Sequence, residues 1–208
     1  MHDNFVGLKE EKRDKIINAA LLEFAAKGYG LASTNEIVKA AGISKGALFH
    51  YFATKKDLFL FLCDYTSGVV SREFYEQIGH CDGDLLIRYR RAAMLKGAVY
   101  KRYPPIFEFI KRLTTENAAE IAGELKDRLE TMVSYGYECL LGNLDLSLFR
   151  EDVPARIVRD LITWALENYG NRSQALVGDQ SIEDIDVTAL NADFDEYLEA
   201  LRKCFYKQ

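Results

Sequence analysis

The sequence predicts an all-α chain: a small head of three helices and a larger helical body, about nine helices in all. Three observations carry this reading. Apolar residues recur at helical spacing along most of the 208 residues, and no stretch alternates with the period of two that a half-buried strand requires. The prolines (Pro104, Pro105, Pro154) fall where one periodic segment ends and another begins. A hydrophobic content of 49% with 28% charged residues is that of a chain that buries a core, not of a disordered one.

Each element has its own signal. Ile17, Ala20, Leu21 and Phe24 follow i, i+3, i+4, i+7 spacing and give a first helix over about residues 9–27, which Gly28 stops. Two short helices, about 34–41 and 45–51, are separated by Gly42-Ile43-Ser44. A long helix begins near Lys55 and runs to about Gln77. His80-Cys81-Asp82-Gly83-Asp84 reads as a turn, and the helix after it reaches about Tyr100. Pro104-Pro105 close one helix and open the next at its first turn. A helix from about Glu116 to Leu141 comes next, and another starts after Asp152, with Pro154 in its first turn, and reaches roughly Gln174. Gly178 to Asp186, with four acids, reads as a solvated loop. The last helix carries Leu190, Phe194, Leu198, Leu201 and Phe205 on one stripe. The division expected from this pattern is a head over 1–54 and a body over 55–208.

Composition narrows the function classes. No apolar run approaches the ~20 residues of a membrane span; Leu58 to Cys63 is the longest. The first residues, Met1-His2-Asp3-Asn4-Phe5-Val6, carry neither a basic nor an apolar leader region, so a cytoplasmic location is expected. Cys63, Cys81, Cys139 and Cys204 are far apart, which suits buried thiols in a reducing compartment. The net charge of −5 is unevenly spread. Residues 1–58 hold nine Lys/Arg against seven Asp/Glu, and the remainder eighteen against twenty-five. A mildly basic head on an acidic body is the distribution expected of an acidic protein that touches DNA at one end.

The head carries the sharper signal. Ser33-Thr34-Asn35-Glu36 has the form of a capping box, in which Ser33 accepts the Glu36 amide and Glu36 reaches back. Gly42 sits where a tight turn between two helices needs positive φ. Ser44 can cap the next helix, whose start, Lys45-Gly46-Ala47, is small and polar while Leu48 and Phe52 form its inner face. Such an end can enter a major groove, with open N–H groups and the helix dipole favouring phosphate. Thr54-Lys55-Lys56-Asp57 caps the following helix and brings two ammonium groups to its first turn. The spacing alone also suits a plain helical hairpin of a bundle; the small and polar groups on the outer end favour the helix-turn-helix.

These residues resemble a known family. Gly28-Tyr29, Ile37, the run from Ala40 to Phe52, and Lys55-Lys56-Asp57-Leu58 are similar to the DNA-binding head of TetR-family transcriptional regulators, over about residues 11–60. The resemblance implies that Ser33, Thr34, Ser44, Lys45, Gly46, Ala47, Phe49, His50, Tyr51 and Lys55 face double-stranded DNA. Within that set Lys55, Tyr51, Ser33 and the Lys45 amide suit phosphate, and Lys45, Ala47 and His50 suit base edges, the Lys45 side chain reaching guanine O6/N7. Ala32 stands where threonine is frequent and Phe49 where tyrosine is usual, which removes a hydroxyl–phosphate bond and leaves an apolar contact such as a thymine methyl.

The resemblance further implies a homodimer built on the last two long helices, a small-molecule effector held in the body, and repression at a pseudo-palindromic operator. Ile157 and Leu161, with Trp164, form one stripe, and Phe194, Leu198, Leu201 and Phe205 belong to another. Ordinary core packing would produce the same stripes. Tyr89, Tyr100, Tyr103, Phe107, Phe109, Tyr135, Tyr137 and Trp164 are the aromatic candidates for an apolar or aromatic effector's pocket or for core. Arg88, Arg90, Arg91, Lys96 and Arg102 suit either an effector carboxylate or a solvated helix face. No GxSxG, HExxH, P-loop or GxGxxG occurs, and His2, His50 and His80 offer no triad, so no enzyme, catalytic residue, metal or cofactor is expected.

Overall fold

The computed structural model describes residues 3–79, 83–177 and 187–207. The expected loop from Gly178 to Asp186 and the turn residues His80-Cys81-Asp82 lie outside the described residues. In chain order the elements are α1 (Asp3–Val6), α2 (Glu10–Leu31), α3 (Thr34–Ala41), α4 (Lys45–Tyr51), α5 (Lys55–Val70), a π-helical turn (Ser71–Tyr75) and α6 (Glu76–Gly79). Then follow α7 (Leu85–Arg102), α8 (Pro104–Leu113), α9 (Ala122–Leu141), a 3₁₀ turn (Leu146–Leu148), α10 (Ala155–Val177) and α11 (Val187–Phe205). The all-α architecture with its helix-turn-helix head is as expected. The short α1 and α6 are additions, α6 arising where the π-helical turn interrupts the long helix expected to reach Gln77.

The chain packs as two compact units, Met1–Arg72 with Arg102–Tyr135, and Glu73–Lys101 with Gly136–Gln208. In the first, α2 lies against α8 and α3. Its apolar face of Ile16, Ile17, Ala20, Leu21 and Phe24 is buried, as the 3.6-residue period requires. Phe24, Phe59 and Phe109 form an edge-on aromatic cluster, with Phe59 5.1 Å from Phe24 and 5.4 Å from Phe109. Phe5 on α1, fully buried, packs at 4.8 Å on Phe52 and 5.3 Å on Phe61.

Two helix boundaries differ from the sequence reading. Regular α2 does break at Gly28 (φ 69°, ψ 174°), but another turn continues to Leu31. The helix expected from Glu116 starts instead at Ala122, because the Glu116 carboxylate accepts the Asn117 and Ala118 amides and holds a turn there.

The second unit's core joins Leu85, Leu86 and Tyr89 of α7, Val158, Ile162, Leu166 and Tyr169 of α10, and Phe194 and Leu198 of α11 to Phe149 and Tyr206. Asp84 caps α7 by accepting the Leu86 amide at 2.9 Å, and it also accepts Arg202 Nη2 and the Tyr206 hydroxyl, each at 2.8 Å. Arg88 turns inward, 3% exposed, and donates to the Leu140 and Asn143 carbonyls at the end of α9. That position takes it away from any effector carboxylate: its guanidinium satisfies helix-end carbonyls that lack partners.

Candidate nucleic-acid interface

The turn between α3 and α4 is built as its residues dictate. Gly42 takes the left-handed conformation (φ 68°, ψ 34°), and the Ile43 amide returns to the Val38 carbonyl at 3.0 Å, closing α3. Ser44 Oγ then accepts the Ala47 amide at 3.1 Å and opens α4. Leu48 and Phe52 are buried, which fixes the roll of α4 and turns Lys45, Gly46, Phe49 and His50 outward. Phe49 is 38% exposed, with the Lys45 ammonium 6.0 Å from its ring. Ala47 and Tyr51 are half-buried, and the Tyr51 ring packs tilted on Phe5 at 5.7 Å, so α1 braces the back of the recognition helix. The sequence reading missed Phe5; a lone apolar pair near the N-terminus carries no periodicity to mark it.

The start of α3 corrects the capping-box expectation. Ser33 makes no side-chain cap, and its amide instead donates to Glu23 Oε1 of α2 at 2.8 Å. Glu23 also binds Lys27 at 2.9 Å, one turn on. Supplied from α2, the anchor leaves Glu36 exposed and the half-buried Ser33 and Thr34 at the head of α3. A box of this kind forms two helices later, at the start of α5, where Thr54 accepts the Asp57 amide at 3.0 Å and Asp57 reaches back to accept the Ala53 amide at 2.9 Å. Lys55 donates to the Ala32 carbonyl at 2.9 Å and the Gly30 carbonyl at 3.2 Å, with its ammonium 4.8 Å from the Tyr29 ring.

A family model described as "Bacterial regulatory proteins, tetR family" matches residues 16–62, from within α2 to the first half of α5. The chain is 30% identical over 118 residues to YerO, an HTH-type transcriptional regulator of Bacillus subtilis; the match covers 56% of this chain and only 39% of YerO. It is 24% identical over 176 residues to the HTH-type transcriptional regulator AcrR of Shigella flexneri, covering 77% of this chain and 79% of AcrR. Among solved structures, the regulator FadR from Bacillus subtilis, in complex with stearoyl-CoA, shares the fold with a TM-score of 0.60 at 18% identity, over 89% of this chain and 96% of that one. The head of this chain, residues 16–62, is similar to that of the tetR family of bacterial regulatory proteins. The relatives it matches are named as transcriptional regulators, and no described helix of this chain is long and apolar enough to cross a membrane.

The aromatic candidates are divided between the two units. Phe109 lies in the core of the first unit and Tyr89 in that of the second. Tyr100, Tyr103, Phe107 and Tyr135 are half-buried, and Tyr137, partly exposed, donates to Glu167 at 2.7 Å. Trp164 is 64% exposed because helical phase sets it with Ile157 and Leu161, opposite Val158, Ile162 and Leu166. Of the stripe on α11, Phe194 and Leu198 are spent in the core of their own unit, and Leu201 and Phe205 pack partly against it.

A cleft that sequence reading missed opens in the first unit, about 200 Å³, between α5 and α9 with Leu113 of α8. Leu125, Leu129 and Met132 give it apolar walls, and Thr66 and Ser67 face it from α5. At its side Arg128 grips Asp64 bidentately through Nε and Nη2, at 2.7 and 3.1 Å. Burial pushes the Cys63 thiol on its wall up to about 12, so it is neutral. None of the eight aromatic candidates lines this cleft; its residues are spread over three helices at spacings that read as ordinary core faces.

Proposed function

We propose that this chain is a homodimeric repressor that occupies a pseudo-palindromic operator and leaves it when a small, largely apolar effector binds in the body. Residues 1–54 read the DNA, through Ser33, Thr34, Ser44, Lys45, Gly46, Ala47, Phe49, His50, Tyr51 and Lys55. Residues 55–208 bind the effector and dimerise. The observation that carries this reading is the roll of α4: its buried Leu48 and Phe52 commit Lys45, Gly46, Phe49 and His50 to the outside. One seven-residue helix reads too few base pairs for useful specificity, so two heads must act together. The mate is a second copy meeting the exposed stripe of Ile157, Leu161 and Trp164 on α10.

The cleft between α5 and α9 supports an effector, because α5 begins where the recognition helix ends. A ligand that binds better to one spacing of the two heads shifts the population toward it, by no more than its difference in affinity for the two states. Selection of genomic fragments by the purified protein, then a compound screen for release, tests the reading. A Leu161→Asp, Trp164→Asp variant should run as a monomer in light scattering and lose operator binding while keeping its helical circular dichroism. A variant that still dimerises sinks the proposed interface, and wild-type protein with no salt-sensitive DNA binding sinks the whole reading.

A further inference from the structure

We infer that Glu116, in the segment between α8 and α9, is a positioning residue for operator binding: through α2 it sets the start of α3. The inference rests on the DNA-binding reading and adds a residue far outside the head. At Gly28 the peptide plane is rotated out of the helical ladder (φ 69°, ψ 174°), so the Tyr29 amide points away from α2. Glu116 Oε2 accepts that amide at 2.7 Å. The other carboxylate oxygen accepts the Asn117 and Ala118 amides at 3.1 and 3.0 Å. One carboxylate therefore joins the turn after α8 to the kink of α2. Burial would raise the Glu116 carboxyl, but the Tyr29, Ala118 and Asn117 amides and nearby Arg112 outweigh it and hold the group below its usual range, hence ionised.

The surroundings make the joint stiff. The Tyr29 hydroxyl donates to Glu120 at 2.6 Å, and Lys56 donates to the Glu120 carbonyl and pairs with Glu124, both at 2.7 Å. From the other side Lys55 holds the carbonyls of Gly30 and Ala32. Only Gly30, Leu31 and Ala32 lie between Tyr29 and the Ser33 amide held by Glu23, so a shift at Tyr29 has no slack in which to dissipate before α3. Glu116 also lies between Leu113 and Leu125, which wall the cleft.

The test compares operator titrations and thermal melts of the full-length chain with Glu116→Ala, Glu116→Gln and Glu116→Asp. A hydrogen bond to a charged acceptor corresponds to roughly tenfold in equilibrium, so Glu116→Ala should weaken operator binding about tenfold. Affinity for random DNA at low salt should change by less than about twofold, since phosphate contacts dominate there. Glu116→Gln can keep its oxygen on the Tyr29 N–H only by turning its NH2 toward the Asn117 and Ala118 amides, so its affinity should fall between wild type and Glu116→Asp. Glu116→Asp keeps the charge and the Asn117 turn but is one methylene too short to reach Tyr29, so it should fold and bind weakly even if the alanine variant does not fold. Variants that bind the operator like wild type, or a glutamine variant as weak as aspartate, overturn the inference alone. A wild-type chain that binds no DNA overturns it together with the regulator reading.

Discussion

Two glycines in the head have nearly the same positive φ and should respond very differently to a methyl group. Gly28 combines φ 69° with ψ 174°, a region open essentially to glycine, which costs another residue on the order of 1–3 kcal/mol. A Cβ there would also lie 2.8 Å from Glu116 Oε2 and from Arg112 Nε, too close for real contacts. Relieving that clash moves Glu116 off the Tyr29 amide and forfeits a charged hydrogen bond worth about 1.5–3 kcal/mol. Reduced entropy of the unfolded chain returns about 0.4–1 kcal/mol. Gly28→Ala should therefore destabilise by about 3 kcal/mol, or a Tm drop of about 6–12 °C for a chain of this length.

Gly42, at φ 68° and ψ 34°, is plain left-handed helix with nothing within 4 Å of an added Cβ. Its alanine variant should lose about 1 kcal/mol. Calorimetric melts at one protein concentration, held fixed because a dimer's Tm depends on it, decide the matter. If the two alanine variants agree within about 1 kcal/mol, the Gly28–Glu116–Arg112 packing is not what holds the end of α2.

Lys55→Ala should lower the salt slope of operator binding by about one, because an ammonium has three donors and the Gly30 and Ala32 carbonyls take two, leaving one for a phosphate. An unchanged slope with a lower Tm would confine Lys55 to holding α2. Asp84 gives a pH dependence: burial raises its carboxyl, but Arg202, Tyr206 and the Ile87 amide outweigh that and leave it below the usual value. A depressed folded pKa means stability that is present above the ordinary carboxylate value, near ~3.9, and is lost as pH falls below it. Asp84→Asn should cost about 2 kcal/mol at neutral pH and flatten the fall in Tm below pH ~4; an unchanged acid limb would refute the assignment.

The head was legible because its signals are local. Gly42, Ser44 and the Thr54–Asp57 box each act within a few residues, so type and spacing alone specify what they do. Ser33 shows where that logic stops: its capping partner is Glu23, and a competing acceptor ten residues away leaves no periodic trace. The body was harder for the same reason. The stripe of α10 and that of α11 look alike in sequence, yet Trp164 faces out while Phe194 and Leu198 face in. Which side of an amphipathic helix meets its own core depends on the neighbouring helices, and pattern alone does not record them. Arg88 is the extreme case, a charge in an apparently solvated run that is in fact buried on the end of α9.

The charge of −5 is a poor guide to how this protein meets DNA, because the acids nearest the head are largely spent. Glu23 is held by the Ser33 amide and Lys27, Glu116 by three amides, and Glu124 by Lys56. Each of these carboxylates has its field partly cancelled within a few ångströms, well inside the ~8–10 Å over which salt screens exposed charges. Lys45 is different: exposed at the open end of α4, it makes no ion pair with a described carboxylate. Lys45 and the remaining donor of Lys55 therefore contribute to the potential facing a duplex in a way the sum over the chain does not record. Neutralising acids of the body at a distance from α4 should therefore leave the salt slope of operator binding unchanged, whereas Lys45→Ala should reduce it by about one and relax discrimination at the base it contacts.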